Sequence, residues 1–266
     1  MRRGLRTFAC AALLLAAVAP RAWAATDPAA LAAACRALQE GVNHADAADI
    51  QRARAAFVAL QADEPSSPVL AYWLALCCWR AEPFVLPTDR DAARRLCRDG
   101  ITACDRAFAL DPRFGEPLAL KASIQGLALT FVPDAVMSLG AEMQEEFARA
   151  TTLEPKNPRI AFLAALIMLH KPANVGGGPN AARATFERAR ALYDAGDAPG
   201  RYGIVWGHDD ALLWSGIARS RVGDWVGARA FFRKALVLNP DLRWVRNTLL
   251  PEAERHLAAA PADSAR

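Results

Sequence analysis

Residues 209–240 read Asp209-Asp-Ala-Leu-Leu-Trp-Ser-Gly216-Ile-Ala-Arg-Ser-Arg-Val-Gly-Asp224-Trp-Val-Gly-Ala228-Arg-Ala-Phe-Phe232-Arg-Lys-Ala235-Leu-Val-Leu-Asn-Pro240. This is one complete helix–turn–helix unit. Gly216, Ala228 and Ala235 are small, so two antiparallel helices can approach closely. Phe232 fills the gap between them, and Pro240, which has no N–H to donate, stops the second helix. The marks at 228, 232, 235 and 238 are four, three and three residues apart, which places them on one face of an α-helix.

The second-helix pattern recurs upstream as Ala182, Phe186, Ala189, Leu192, then Met143, Phe147, Ala150, Leu153, then Gly100, Cys104, Ala107, Leu110. A weaker copy is Ala53, Phe57, Leu60, with Asp63 in place of the leucine. Three copies close on a proline (Pro112, Pro155, Pro240), while the fourth ends in Tyr193-Asp194-Ala195-Gly196. First helices are expected over 28–41, 68–80, 116–130, 158–170 and 209–222, and a capping helix over 242–258. No alternating run bounded by turn residues suggests a strand. The expectation is an all-α, right-handed solenoid of about five helical hairpins, spanning 25–258, with a disordered tail at 259–266.

Residues 1–24 form a leader rather than part of the fold. Arg2, Arg3 and Arg6 precede an apolar run from Ala9 to Ala19, and Ala22-Trp23-Ala24 supplies an A-x-A-like cleavage site. The run is too short to span a bilayer, so a soluble, exported, periplasmic protein without a stable membrane anchor is expected. Losing the four leader arginines leaves 28 basic and 28 acidic residues. That balance leaves no electrostatic footprint for nucleic acid. Five cysteines remain (Cys35, Cys77, Cys78, Cys97, Cys104). An oxidising compartment permits one bridge across the 68–110 hairpin, and the odd number leaves a free thiol. The missing C-x-x-C argues against a redox or zinc role.

The mature chain resembles exported bacterial tetratricopeptide-repeat (TPR) proteins, most closely from Asn174 to Pro251. Asn174-Val-Gly-Gly-Gly-Pro179 leading into Ala182 and Phe186 looks like a glycine-containing hairpin of such proteins, and Trp206-Gly207-His208, Trp244-Val245 and Leu249-Leu250-Pro251 are similar too. A comparable hairpin occurs in the TPR component of tripartite ATP-independent periplasmic (TRAP) transporters. That component is typically a lipoprotein, whereas no lipid-attachment box occurs here.

In TPR proteins first helices line a concave groove. The resemblance places Tyr72, Leu76, Trp79, Leu120, Ile124, Leu127, Phe162, Leu166, Leu169, Leu213 and Ile217 there. Such an apolar groove is either covered or occupied. Insertions at 81–89, 131–138 and 171–178 carry a rim including Phe84, Leu86, Phe131, Met137 and Asn174, and the 195–208 connection adds Trp206 and His208. These residues either fold back over the helices or form a docking edge. The expected function is a non-enzymatic scaffold binding a protein or peptide; the alternative is an accessory protein of a solute-uptake system that binds a small apolar ligand. The oligomeric state stays open.

Polar clusters argue for little catalysis. His208-Asp209-Asp210 reads as a helix start, where carboxylates cap free N–H groups. A metal there would need more ligands, with His170 the one obvious candidate histidine. Gly176-Gly177-Gly178 reads as a tight turn, since the Gly-Lys-Ser/Thr of a phosphate loop does not follow. No Gly-x-Ser-x-Gly, His-Glu-x-x-His or dinucleotide-binding glycine pattern occurs. Neither an enzyme nor a cofactor is expected.

Overall fold

The computed structural model describes residues 26–196 and 201–259. The leader, residues 197–200 and the tail from 260 lie outside the described residues. Among the described residues there are α-helices and short 3₁₀ or π turns, and no strands. Helix α1 (Pro28–His44) pairs with α2 (Ala47–Asp63), α3 (Pro68–Val85) with α4 (Arg90–Leu110), and α5 (Glu116–Ala128) with α6 (Val136–Leu153). Helix α7 (Pro158–His170) pairs with α8 (Pro179–Asp194), and α9 (His208–Ser220) with α10 (Trp225–Leu238). The five hairpins stack into an all-α solenoid, with α3, α5 and α7 side by side along its inner face.

Local chemistry sets the ends of these helices. Proline occupies the first turn of α1, α3, α5, α7 and α8, where no intrahelical donor is needed. Carboxylate or amide oxygens of Asp27, Asp46, Asp89, Asn157 and Asp224 accept the free N–H groups of their helices. Asp111 and Asn239 each precede a proline and are extended, ending α4 and α10.

Most small and aromatic marks behave as the spacing predicts, although Phe147 is only partly buried. Phe57, Cys104, Ala107, Ala150, Ala182, Phe186, Ala189, Ala228, Phe232 and Ala235 are all buried. The closing leucines do not: Leu110, Leu153 and Leu238 lie exposed at the edge of the stack. A Cβ added to Gly216 would stand 2.5 Å from Cε1 of the buried Phe232. We therefore expect Gly216→Ala to cost about 1–3 kcal/mol in denaturant unfolding, with partial recovery when Phe232→Leu is added.

Three expectations need correction. Residues 81–85 are not an inserted loop but the last turn of α3, continued past Pro83. Likewise Val136–Ser138 already belong to α6, after a 3₁₀ turn at Pro133–Ala135. The capping helix is interrupted: a π turn at Val245–Leu249 precedes α11 (Leu250–Ala259), because Pro251 cannot donate to the regular ladder. Its side chains close the end of the stack, where Leu242, Val245 and Ala253 bury against Phe232 and Ala235.

The array also curls far enough for its ends to meet. Asn239 Nδ2, after α10, donates to Asn43 Oδ1 of α1 at 2.9 Å. Arg80 of α3 forms a doubly hydrogen-bonded ion pair with Asp210 of α9, with Nη1–Oδ1 at 3.0 Å.

Candidate functional site

The inner face is full. Tyr72, Leu76, Leu120, Ile124, Phe162, Leu166, Leu169, Leu213 and Ile217 are buried, and Trp79 and Leu127 are partly so. What covers the middle of this surface is the connection between α8 and α9. Trp206 lies 6.0 Å from the Trp79 ring and 6.1 Å from that of Phe162, and its Nε1 donates to Tyr72 Oη at 3.0 Å. Ile204 is buried beside it. Tyr202 stacks edge-on to Phe114, and its hydroxyl donates to Asp111 at 2.6 Å. Burial pushes the Asp111 carboxyl up, but hydrogen bonds from Tyr202, the Arg113 N–H and Arg201 outweigh it and leave Asp111 below the usual carboxylate range. Trp206 is therefore a core plug and not a rim residue.

Beneath the plug runs a polar column. Glu116 is completely buried and receives Arg159 Nε at 2.9 Å, Arg159 Nη2 at 2.5 Å and Asn157 Nδ2 at 2.6 Å. Burial first, then the charge of the nearby Glu116 carboxylate, raises the Tyr72 phenol well above its ordinary pKa. Every group here has a partner inside the fold, so the column is structural.

The remaining rim residues separate in space. His208 stacks on Tyr193 at 5.0 Å and lies 3.1 Å from Asp194 Oδ1, whereas His170 bonds to its own helix at Leu166 O and packs edge-on to Trp214. They share no site. Asp210 does not cap α9 but pairs with Arg80, and Asp209 accepts from Asn239 Nδ2 at 2.5 Å. Gly176 and Gly178 both have positive φ, and a Cβ at Gly177 would overlap the Lys171 backbone, so this triplet is a tight turn; Asn174 is exposed on it. Phe84 and Leu86 sit at the α3–α4 turn, partly exposed. The expected disulfide is absent. Cys77, Cys78, Cys97 and Cys104 are buried free thiols that pack as small apolar groups.

Among the described residues, one surface cleft combines an apolar lining with a cationic edge. Between the outer face of α4 and the α5–α6 connection lies a cleft of about 380 Å³, with Cys97, Ile101, Ala128, Phe131 and Val132 as its apolar lining. The neighbouring first turn of α6 continues that apolar character outward, with Val136 half exposed and Met137 85% exposed. Arg94 and Arg98 form the polar edge. The guanidinium carbons of Arg90 and Arg94 stand 5.1 and 5.4 Å from the centre of the Phe131 ring. Arg90 also donates to Thr130 O at 2.7 Å, tying α4 to the connection. The Cys97 thiol is pushed up to about 12 by burial, so it faces the cleft neutral.

The sequence singled out Phe131 and Met137 but missed the other wall. Arg90, Arg94 and Arg98 recur every four residues, a helical-face signal that was legible; reading α4 for its core stripe alone passed it over.

No protein-family model matches the chain, and no curated protein matches its sequence. Among solved structures the chain is similar to the HusA haemophore from Porphyromonas gingivalis. The two are 25% identical with a TM-score of 0.59, and the match covers 73% of this chain and 94% of that one.

Proposed function

We propose that this protein is a non-enzymatic, exported ligand-binding protein that takes an apolar ligand of the haem type in the cleft between α4 and the α5–α6 connection. The observation that carries the reading is the cleft itself. It is an open apolar concavity of about 380 Å³, on a solenoid whose inner face is filled by its own chain. Its volume is within the usual range of small-molecule sites. The haemophore likeness supports the choice of ligand class, since a haemophore is by name a haem carrier. The leader motif supports export to the periplasm, and no helix among the described residues is long and apolar enough to cross a membrane. We read the hairpins as TPR-type repeats, supported by the fit of Gly216 to Phe232 and by the buried small-residue marks.

Haemin titration of the purified mature protein, followed by absorbance, tests this reading. Saturable binding of one haemin per chain is expected, and Phe131→Asp should weaken it about tenfold or more, because burying such a side chain contributes roughly 1.5–3 kcal/mol. Circular dichroism of the variant separates lost binding from lost fold. No saturable binding by the folded wild type would sink the reading.

A second reading keeps a protein or peptide partner, placed at the loop edge and not in the groove. Exposed Val132, Val136 and Met137 favour it. Cross-linking from Met137→Cys would detect such a partner; a Met137→Asp variant that retains it would exclude this edge.

A further inference from the structure

The cleft's cations are its least explained feature. Two ion pairs involve α4: Arg95 lies 3.9 Å from Asp89, and Arg54 of α2 lies 3.2 Å from Asp99. Arg90, Arg94 and Arg98 are set apart by their place at the cleft, where Arg94 and Arg98 line its edge and Arg90 stands over Phe131. They follow one another at four-residue intervals along α4, all three exposed, and among the described residues none has a carboxylate oxygen within 4.0 Å. Lys121, on α5, illustrates the contrast, since it is neutralised by Asp105, Glu142 and Glu146 together. Three adjacent unpaired guanidinium groups repel one another, and carboxylates at their usual helical spacing would relieve that. Asp91, three residues before Arg94, comes within 4.0 Å of none of them, and the surface beside them is apolar: Phe131 and Val132 on the connection, and Ile101 on α4 itself.

We infer that the cleft selects ligands carrying carboxylates on an apolar body, and that Arg94 and Arg98 are the residues that hold those carboxylates. The inference rests on the proposed cleft function and deepens it. Guanidinium groups match carboxylates in shape and hydrogen-bond in pairs. Both line the cleft edge, so a ligand whose body lies on Phe131, Ile101 and Val132 presents its acidic groups to them. Arg90 is already tied to Thr130 O and over Phe131, so its part is to fix the wall and to add positive potential. Two sources share this chemistry, the propionate edge of a tetrapyrrole and the head of a fatty acid.

The test compares haemin, its dimethyl ester and oleate on the wild-type protein and on Arg94→Gln/Arg98→Gln. Both substitutions lie on an exposed helix face and leave the core intact. On the wild type the ester should bind about tenfold or more weaker than haemin, as expected for lost charge-assisted hydrogen bonds. The double variant should lose that factor for haemin, bind the ester unchanged, and bind haemin with a flatter salt dependence than wild type. If haemin and ester bind equally, and the double variant binds haemin like wild type, the carboxylate inference is overturned while the cleft function stands. If haemin fails but oleate binds through Arg94 and Arg98, the inference holds and the haem-type reading falls. If none of the three binds the wild type, both fall.

Discussion

Glu116→Ala is expected to lower the unfolding free energy by about 3–5 kcal/mol. Glu116 is completely buried, and its carboxylate accepts from both Arg159 and Asn157. Removing it leaves the Arg159 guanidinium, only 2% exposed, with no carboxylate at ion-pair distance. That uncompensated charge dominates the expected loss. A second variant separates it from simple loss of packing. Glu116→Ala/Arg159→Met removes both charges, and replacing a buried pair with apolar groups is often close to neutral. The double variant should therefore recover most of the loss in urea or guanidinium unfolding. If the single variant loses less than about 1 kcal/mol, the pair is not held as tightly as its geometry indicates.

Trp206→Ala should cost a similar amount, about 3–5 kcal/mol, which is large for a residue in a connection. A loop residue on a solvated surface would change stability by no more than about 0.5 kcal/mol. Trp206 is instead packed against Trp79 and Phe162 and bonded to Tyr72, and Arg80 also lies 5.1 Å from its ring. Its removal should expose the apolar inner face and raise the binding of a hydrophobic fluorescent dye. It should also leave haemin affinity unchanged, since the cleft at α4 lies on another part of the molecule. Tighter haemin binding by Trp206→Ala would place the ligand on the inner face and overturn the cleft assignment.

These two residues differ in how far the sequence betrayed them. Glu116 stands in the first turn of α5, where a carboxylate ordinarily complements the helix dipole. Nothing local says that Arg159, forty-three positions later, arrives opposite it. Trp206 was conspicuous as an aromatic in a long connection, but a connection's path over a solenoid depends on which face has unfilled space. The open cleft was half legible. Phe131 and Met137 stood out as apolar residues in an insertion, whereas the arginines of α4 acquire meaning only when the connection is seen to lie against them.

The sequence alone determined the hairpins. Helical period, small-residue positions and proline stops are local properties, enforced by sterics and by each helix's own hydrogen bonds, and together they placed the two helices of all five units, with a proline stop in three of them. It also carried the net charge and the leader motif. Tertiary structure decided whether the apolar inner face was a groove or a core, because that depends on the curl of the whole array and on where Trp206 and Ile204 come to rest. It also decided which surface stayed open. A cleft forms where two elements fail to fill the space between them, and only their final separation fixes that space.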